Sequence, residues 1–95
     1  MDERALVIQS QNGDQEAFET LVQQNQRMIH SLCYRMTGSL EDGDDLAQQT
    51  FIQAYQHLQA FRTESRFSSW VYRIALNQCL NWQKGRVHLQ KLQKE

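Results

Sequence analysis

Between Phe61 and Arg86 the chain interleaves two kinds of side chain that suit nucleic acid. Arg62, Arg66, Arg73, Lys84 and Arg86 carry positive charge, and Phe61, Phe67, Trp70, Tyr72 and Trp82 lie among them. Cations neutralise phosphates, and a flat ring gives an unstacked base a surface worth about 1–3 kcal/mol. Asn77 and Asn81 each offer a donor and an acceptor on one side chain, which suits a base edge. Intact duplex gives rings nothing to stack on, so the set fits single-stranded or locally opened nucleic acid better. Burial competes with stacking for every ring, and Phe67 and Tyr72 read as core rather than platform.

These groups need a loop and a helix to hold them. Phe61 to Ser69 reads as a short polar loop, and Ser65 or Ser68 can cap the helix that follows. Along that helix Phe67, Val71, Ile74, Ala75 and the neighbourhood of Cys79 form the buried side. Arg73, Asn77, Asn81 and Lys84 recur at i, i+4, i+8 and i+11 on another face. Gly85 is expected to end or bend the helix. The basic tail from Arg86 to Glu95, with Val87, Leu89 and Leu92, reads as a further short helix or a frayed extension.

The preceding chain supplies the scaffold. Residues Asp2 to Gln11 suffice for a short helix, which Asn12-Gly13 stops, and Asp14 can cap the next one. Phe18, Leu21, Val22, Met28, Ile29, Leu32, Cys33 and Met36 then line one face of a long helix, while Glu19, Gln23, Gln26, Arg27 and His30 make its polar surface. Gly38 stands where a left-handed cap belongs, so this helix should end near Thr37. Ser39 to Asp45 reads as a linker and helix start whose carboxylates complement the helix dipole. The order of its acids does not match a calcium loop, which needs alternating oxygen ligands and a distal glutamate.

A third helix is expected over about Asp44 to Leu58, with Leu46, Ala47, Thr50, Phe51, Ala54, Tyr55 and Leu58 inward. Asp45, Gln48, Gln49, Ile52 and Gln56 make a second face in which Ile52 alone is apolar. An apolar anchor ringed by hydrogen-bonding side chains is how a protein-docking site is built, although single exposed apolar residues are also ordinary.

Bulk properties limit the alternatives. Ninety-five residues without a proline make one small helical domain, a compact all-α bundle of four to five helices. Residues 1–45 hold nine acids and three bases, a net of −6, and residues 46–95 hold two acids and seven bases, a net of +5. Such polarity fits an acidic surface for one partner and a basic surface for an anionic one, or two solvated faces. Cys33 and Cys79 read as buried thiols in a reducing cytoplasm, not as a disulfide or zinc pair. The N-terminus lacks the layout of a signal peptide, and no apolar run reaches membrane-spanning length, so membrane insertion is not expected. His30, His57 and His88 are scattered and Ser68-Ser69 has no base nearby, so no enzyme, metal site or cofactor is expected.

Three ordered blocks carry a family resemblance. Ala17-Phe18-Glu19-Thr20-Leu21-Val22 resembles the "AFE-LV" element of region 2 in bacterial sigma factors of the extracytoplasmic-function (ECF) group. Asp42-Gly43-Asp44-Asp45-Leu46-Ala47-Gln48-Gln49-Thr50-Phe51 resembles that family's "DAEDLVQETF" element. Phe61-Arg62, Glu64-Ser65, Phe67, Trp70-Val71-Tyr72-Arg73-Ile74-Ala75 and Asn77 resemble its "FRGES-F-TWLYRIA-N" element. The resemblance implies that the Asp45, Gln48, Gln49 and Ile52 face, which the helical spacing extends to Gln56, docks on the clamp helices of the RNA polymerase β′ subunit. It further implies that the Phe61–Ser69 loop, with Phe61, Arg62, Ser65, Arg66 and Ser69, and the helix bearing Trp70, Arg73 and Asn77 open and read the non-template strand of a promoter minus-ten element, one base being flipped into the loop. The spacing adds Asn81 and Lys84 to that DNA face. An anti-sigma factor is a further possible partner, and a module serving mainly as such a regulator's target is the alternative function. Residues 1–86 would be the domain and 87–95 the start of an interdomain linker, without the second, minus-thirty-five-reading domain of the group. Gln49 stands where the family often has an acid, and Thr63 where a glycine often follows Phe-Arg.

Overall fold

A computed structural model describes residues 2–94 and contains four α-helices: α1 (Glu3–Gln11), α2 (Gln15–Thr37), α3 (Leu40–Gln56) and α4 (Phe67–Lys94). A 3-10 turn, Leu58–Ala60, follows α3. The all-α bundle expected from the sequence is the fold observed, and the helix starts explain much of it. Asp2, Asp14 and Ser39 each accept a hydrogen bond from a backbone amide three residues on, satisfying donors that a helix leaves free. Gly38 closes α2 in the left-handed region at φ 71°, its amide donating to the Tyr34 carbonyl at 2.8 Å.

Helix α2 packs against the other three. Its Leu21, Ile29 and Cys33 meet Leu46, Ala47 and Ala54 of α3 and Phe67, Val71 and Ala75 of α4 in one core, closed by Leu6 and Val7 of α1. Buried polar groups are mostly paired within their own helices, Asn25 to the Leu21 carbonyl and Thr50 to that of Leu46, each at 2.8 Å. Cys33 and Cys79 are free, buried thiols. Desolvation, reinforced by a hydrogen bond donated to the Cys79 sulfur, pushes the Cys33 thiol up to about 12. Burial raises the Cys79 thiol as well, so the low-dielectric core favours the protonated form of both.

Three expectations are corrected. Helix α3 starts at Leu40, so the linker shrinks to Gly38-Ser39. Within the helix, a Cβ on Gly43 would lie 3.1 Å from the Tyr34 amide nitrogen and 3.2 Å from its Cα, so glycine lets two helix backbones meet. Tyr55 is not core; it is 52% exposed, with its ring edge-on to Phe18 at 5.0 Å. Nor does Gly85 stop α4. Its φ is not positive, Lys, Leu and Gln follow it, and Arg86 stacks over Trp82 at 5.0 Å across it. A helix of this length extends about 42 Å, and its last turns stay exposed at Val87, Leu89 and Leu92. Among the described residues no helix is long and apolar enough to cross a membrane.

Gly43→Val is expected to cost about 2–3 kcal/mol, because the neighbour is helix backbone that cannot swing aside. A lowered urea midpoint would register it, and an unchanged midpoint would show that α2 and α3 part freely.

Candidate nucleic-acid interface

Helix α4 begins at Phe67, which places Arg66 at its N-cap, with the Arg66 carbonyl accepting from the Trp70 amide at 3.1 Å. Arginine has no acceptor atom, so it cannot cap a helix with its side chain. The cap comes from α1 instead. Glu3 accepts from the Phe67 amide through Oε2 and from the Ser68 amide through Oε1, both at 3.1 Å. Neither Ser65 nor Ser68 takes the capping role the sequence suggests. Arg66 is left exposed at the tip of the helix.

The loop is pinned by its rings. Phe61 and Phe67 are buried, and Trp70 is half-buried against them, with centroids 4.8 Å from Phe61 and 5.7 Å from Phe67. Phe61 is therefore corrected from a stacking platform to a core anchor, since its faces are spent on the other two rings. Trp70 retains partial exposure, and Phe67 and Tyr72 pack inward as their positions suggest. Between these anchors a turn is closed by the Ser65 amide donating to the Arg62 carbonyl at 3.1 Å. It borders an open cavity of about 570 Å³ lined by Gln11, Gln59, Phe61, Arg62, Thr63, Glu64 and Ser65. That volume lies within the range of small-molecule sites, and its lining mixes hydrogen-bonding groups with the edge of one ring.

After the turn, a polar stripe runs down α4. Arg66, Trp70, Arg73, Asn77, Asn81 and Lys84 follow spacings of four, three, four, four and three, which keep them on one side of a helix. All except Trp70 are exposed, as are Arg62, Ser65 and Ser69. The stripe spans about 27 Å, enough to follow a strand past the cavity. It can neutralise phosphates and offer amide groups to base edges. Gln78, on the inner flank, donates to Gln53 of α3, and Gln83 donates to the Met36 carbonyl at 2.9 Å, so α4 is tied to both neighbours.

A separate surface lies on α3. Asp45, Gln48, Gln49, Ile52 and Gln56 are all exposed, Ile52 at 58%. Ile52 and Gln48 form one wall of a groove of about 410 Å³ whose other wall is Val22, Gln26 and His30 of α2. His30 is more than plain surface: its Nδ1 sits 3.0 Å from Asp44 Oδ1 at the groove's rim. Sequence reasoning passed over the α2 wall, although Val22, Gln26 and His30 at fourfold spacing were a legible stripe. It also passed over Glu3 and Gln11, whose partners lie near the other end of the chain and left no local pattern.

Residues 21–88 match the family described as Sigma-70 region 2. The ECF RNA polymerase sigma factor SigW of Bacillus subtilis is 44% identical over 71 residues, which cover 75% of this chain and 38% of that one. Among solved structures, an NMR structure of an engineered region 2 of sigmaE in complex with GTAAAA aligns with a TM-score of 0.84 at 38% identity, covering 90% of each chain. CnrH, solved in complex with the cytosolic domain of CnrY, aligns with a TM-score of 0.80 at 28% identity over 94% of this chain and 60% of that one. The chain spans about two fifths of the length of the curated relatives it matches.

Proposed function

The chain belongs to the Sigma-70 region 2 family, and from that premise we propose that it is the promoter-recognition domain of an ECF sigma factor, acting in the cytoplasm by binding and without catalysis. The Ile52 face of α3, with the Val22–His30 wall of α2, docks on the β′ clamp helices of RNA polymerase. The loop and the exposed side of α4 hold the opened non-template strand of the minus-ten element, with one base in the loop cavity. Residues 1–86 form the working domain, and 87–95 begin a connector. One observation carries the reading: the turn that lines the open cavity leads along the chain into a helix with an exposed stripe of cations and asparagines. The relative bound to GTAAAA supports it.

The test is affinity for a labelled minus-ten single strand. Asn77→Ala should weaken binding about tenfold, within the range for loss of one base-edge contact. Arg66→Ala should weaken it and flatten the log–log salt dependence by about 0.7, the share of one phosphate contact on a single strand. Both residues are exposed, so the helical circular-dichroism signal should persist. Unchanged affinity in both variants removes the assigned DNA face.

A second reading, a helical module serving mainly as the target of an anti-sigma regulator, rests on a different feature. Leu80, Val87, Lys84, His88 and Lys91 line an apolar groove of about 490 Å³ on the exposed end of α4, and CnrH is a relative solved with a protein partner. Absence of strand binding even at low salt would favour this reading over the first.

A further inference from the structure

Helix α1 grips the loop at both ends. At the near end the Gln11 side-chain amide donates to the carbonyls of Leu58 at 3.1 Å and Phe61 at 3.0 Å. The Gln59 amide returns a bond to the Gln11 carbonyl at 2.9 Å. At the far end the Glu3 carboxylate accepts from the Phe67 and Ser68 amides, both at 3.1 Å. Glu3, Val7 and Gln11 recur at fourfold spacing and so share one side of α1, with Val7 between them only 2% exposed. The span from Glu3 to Gln11 is about 12 Å of rigid helix.

The chemistry explains why such a grip is needed. The site requires arginine at position 66, and arginine cannot satisfy the first amides of α4 by itself. It equally requires an open turn at 62–65, whose own backbone closes a single hydrogen bond, from Ser65 to Arg62. A short loop so sparsely tied would sample many shapes, each lowering the fraction competent to bind. Glu3 and Gln11 tie down the backbone on either side of the turn and leave its exposed side chains free.

We propose that Glu3 and Gln11 are positioning residues for strand recognition, holding the Arg62–Arg66 turn in the shape that receives a base; this rests on the DNA-reading assignment above. Neither needs to be the group that reads the base. Their loss loosens the turn and leaves the Ile52 face of α3 intact. Part of their effect therefore falls on one partner only.

The experiment uses the 95-residue chain and the variants Glu3→Ala and Gln11→Ala, with three readouts on each. Affinity for a labelled minus-ten single strand should fall about tenfold. Affinity for a fragment of the β′ clamp helices should stay within about twofold, which a general loss of fold would not allow. Tryptic cleavage after Arg62 and Arg66 under native conditions should speed up at least fivefold, reporting the turn without any DNA. Gln11→Ala keeps the helix cap, and so separates a loosened turn from a failed α4 start. Wild-type strand affinity in both variants overturns the proposal, as does equal weakening of strand and clamp binding. If the wild-type chain itself does not bind the strand at low salt, the DNA-reading assignment falls, and the proposal with it.

Discussion

Phe67→Ala should cost the domain about 3–5 kcal/mol, the usual toll for emptying a buried aromatic site, against a total stability of about 5–15 kcal/mol for a small domain. Phe67 is 1% exposed and heads the group of largest fully buried side chains. It is the first residue of α4, its amide is held by Glu3, and its ring meets both Phe61 and Trp70. The space it leaves is bordered by α1, by the loop and by α4, so collapse into it would move the turn that carries Arg62 and Arg66. Strand affinity should therefore fall further than the lost stability alone requires, even at temperatures where the variant remains mostly folded. Tyr72→Ala is the matched comparison. Its half-buried ring lies beside a surface groove with Met28, Arg73 and Leu76, and about 1 kcal/mol is expected there. Urea unfolding decides the matter. A Phe67→Ala midpoint close to wild type would mean that the three rings do not form the packed anchor described.

What could be read in the chain beforehand follows from which interactions are local. Asp14, Gly38 and the spacings of α2 act within a few residues, and their outcomes matched the reading. Most of the misses were cases in which a distant partner decided. Residues 40–43 read as part of a linker, yet they lie in α3, where Gly43 meets the Tyr34 backbone, and Tyr55 reads as inward but is 52% exposed, with Phe18 edge-on to its ring. Gly85 looked like a stop, but a single glycine among good helix formers costs only about 1 kcal/mol relative to alanine. The cap of α4 was the least legible feature. Serines stood nearby as plausible caps, while the actual acceptor, Glu3, sits 64 residues away from Phe67. The family motifs mark the turn and the stripe on the chain without disclosing what holds them.

The other large effect is expected on the opposite partner. Changing Gln48 and Ile52 together to alanine should weaken binding to a β′ clamp fragment by at least about 100-fold, close to abolition in an ordinary assay. Ile52 is 58% exposed and stands at the centre of its polar row, where an apolar side chain has no value to the folded monomer. Residues of this kind, central and ringed by hydrogen-bonding neighbours, carry a large share of the energy in protein interfaces, about 2–4 kcal/mol for the strongest. Gln48 forms the same wall of the groove, facing Val22, Gln26 and His30, so its loss removes a polar contact beside the anchor. The two sites touch one pocket, and their effects should not simply add. Stability should change little, because both side chains point to solvent and alanine is a better helix former than isoleucine or glutamine. Strand binding through Arg66 and Asn77 should also persist, since the two surfaces share no residue. Gln49→Glu gives the opposite sign: restoring an acid beside Asp45 should speed association with a basic clamp, most visibly at low salt. Retained clamp binding in the Gln48/Ile52 double variant would remove α3 as the docking surface and leave its lone isoleucine without a partner.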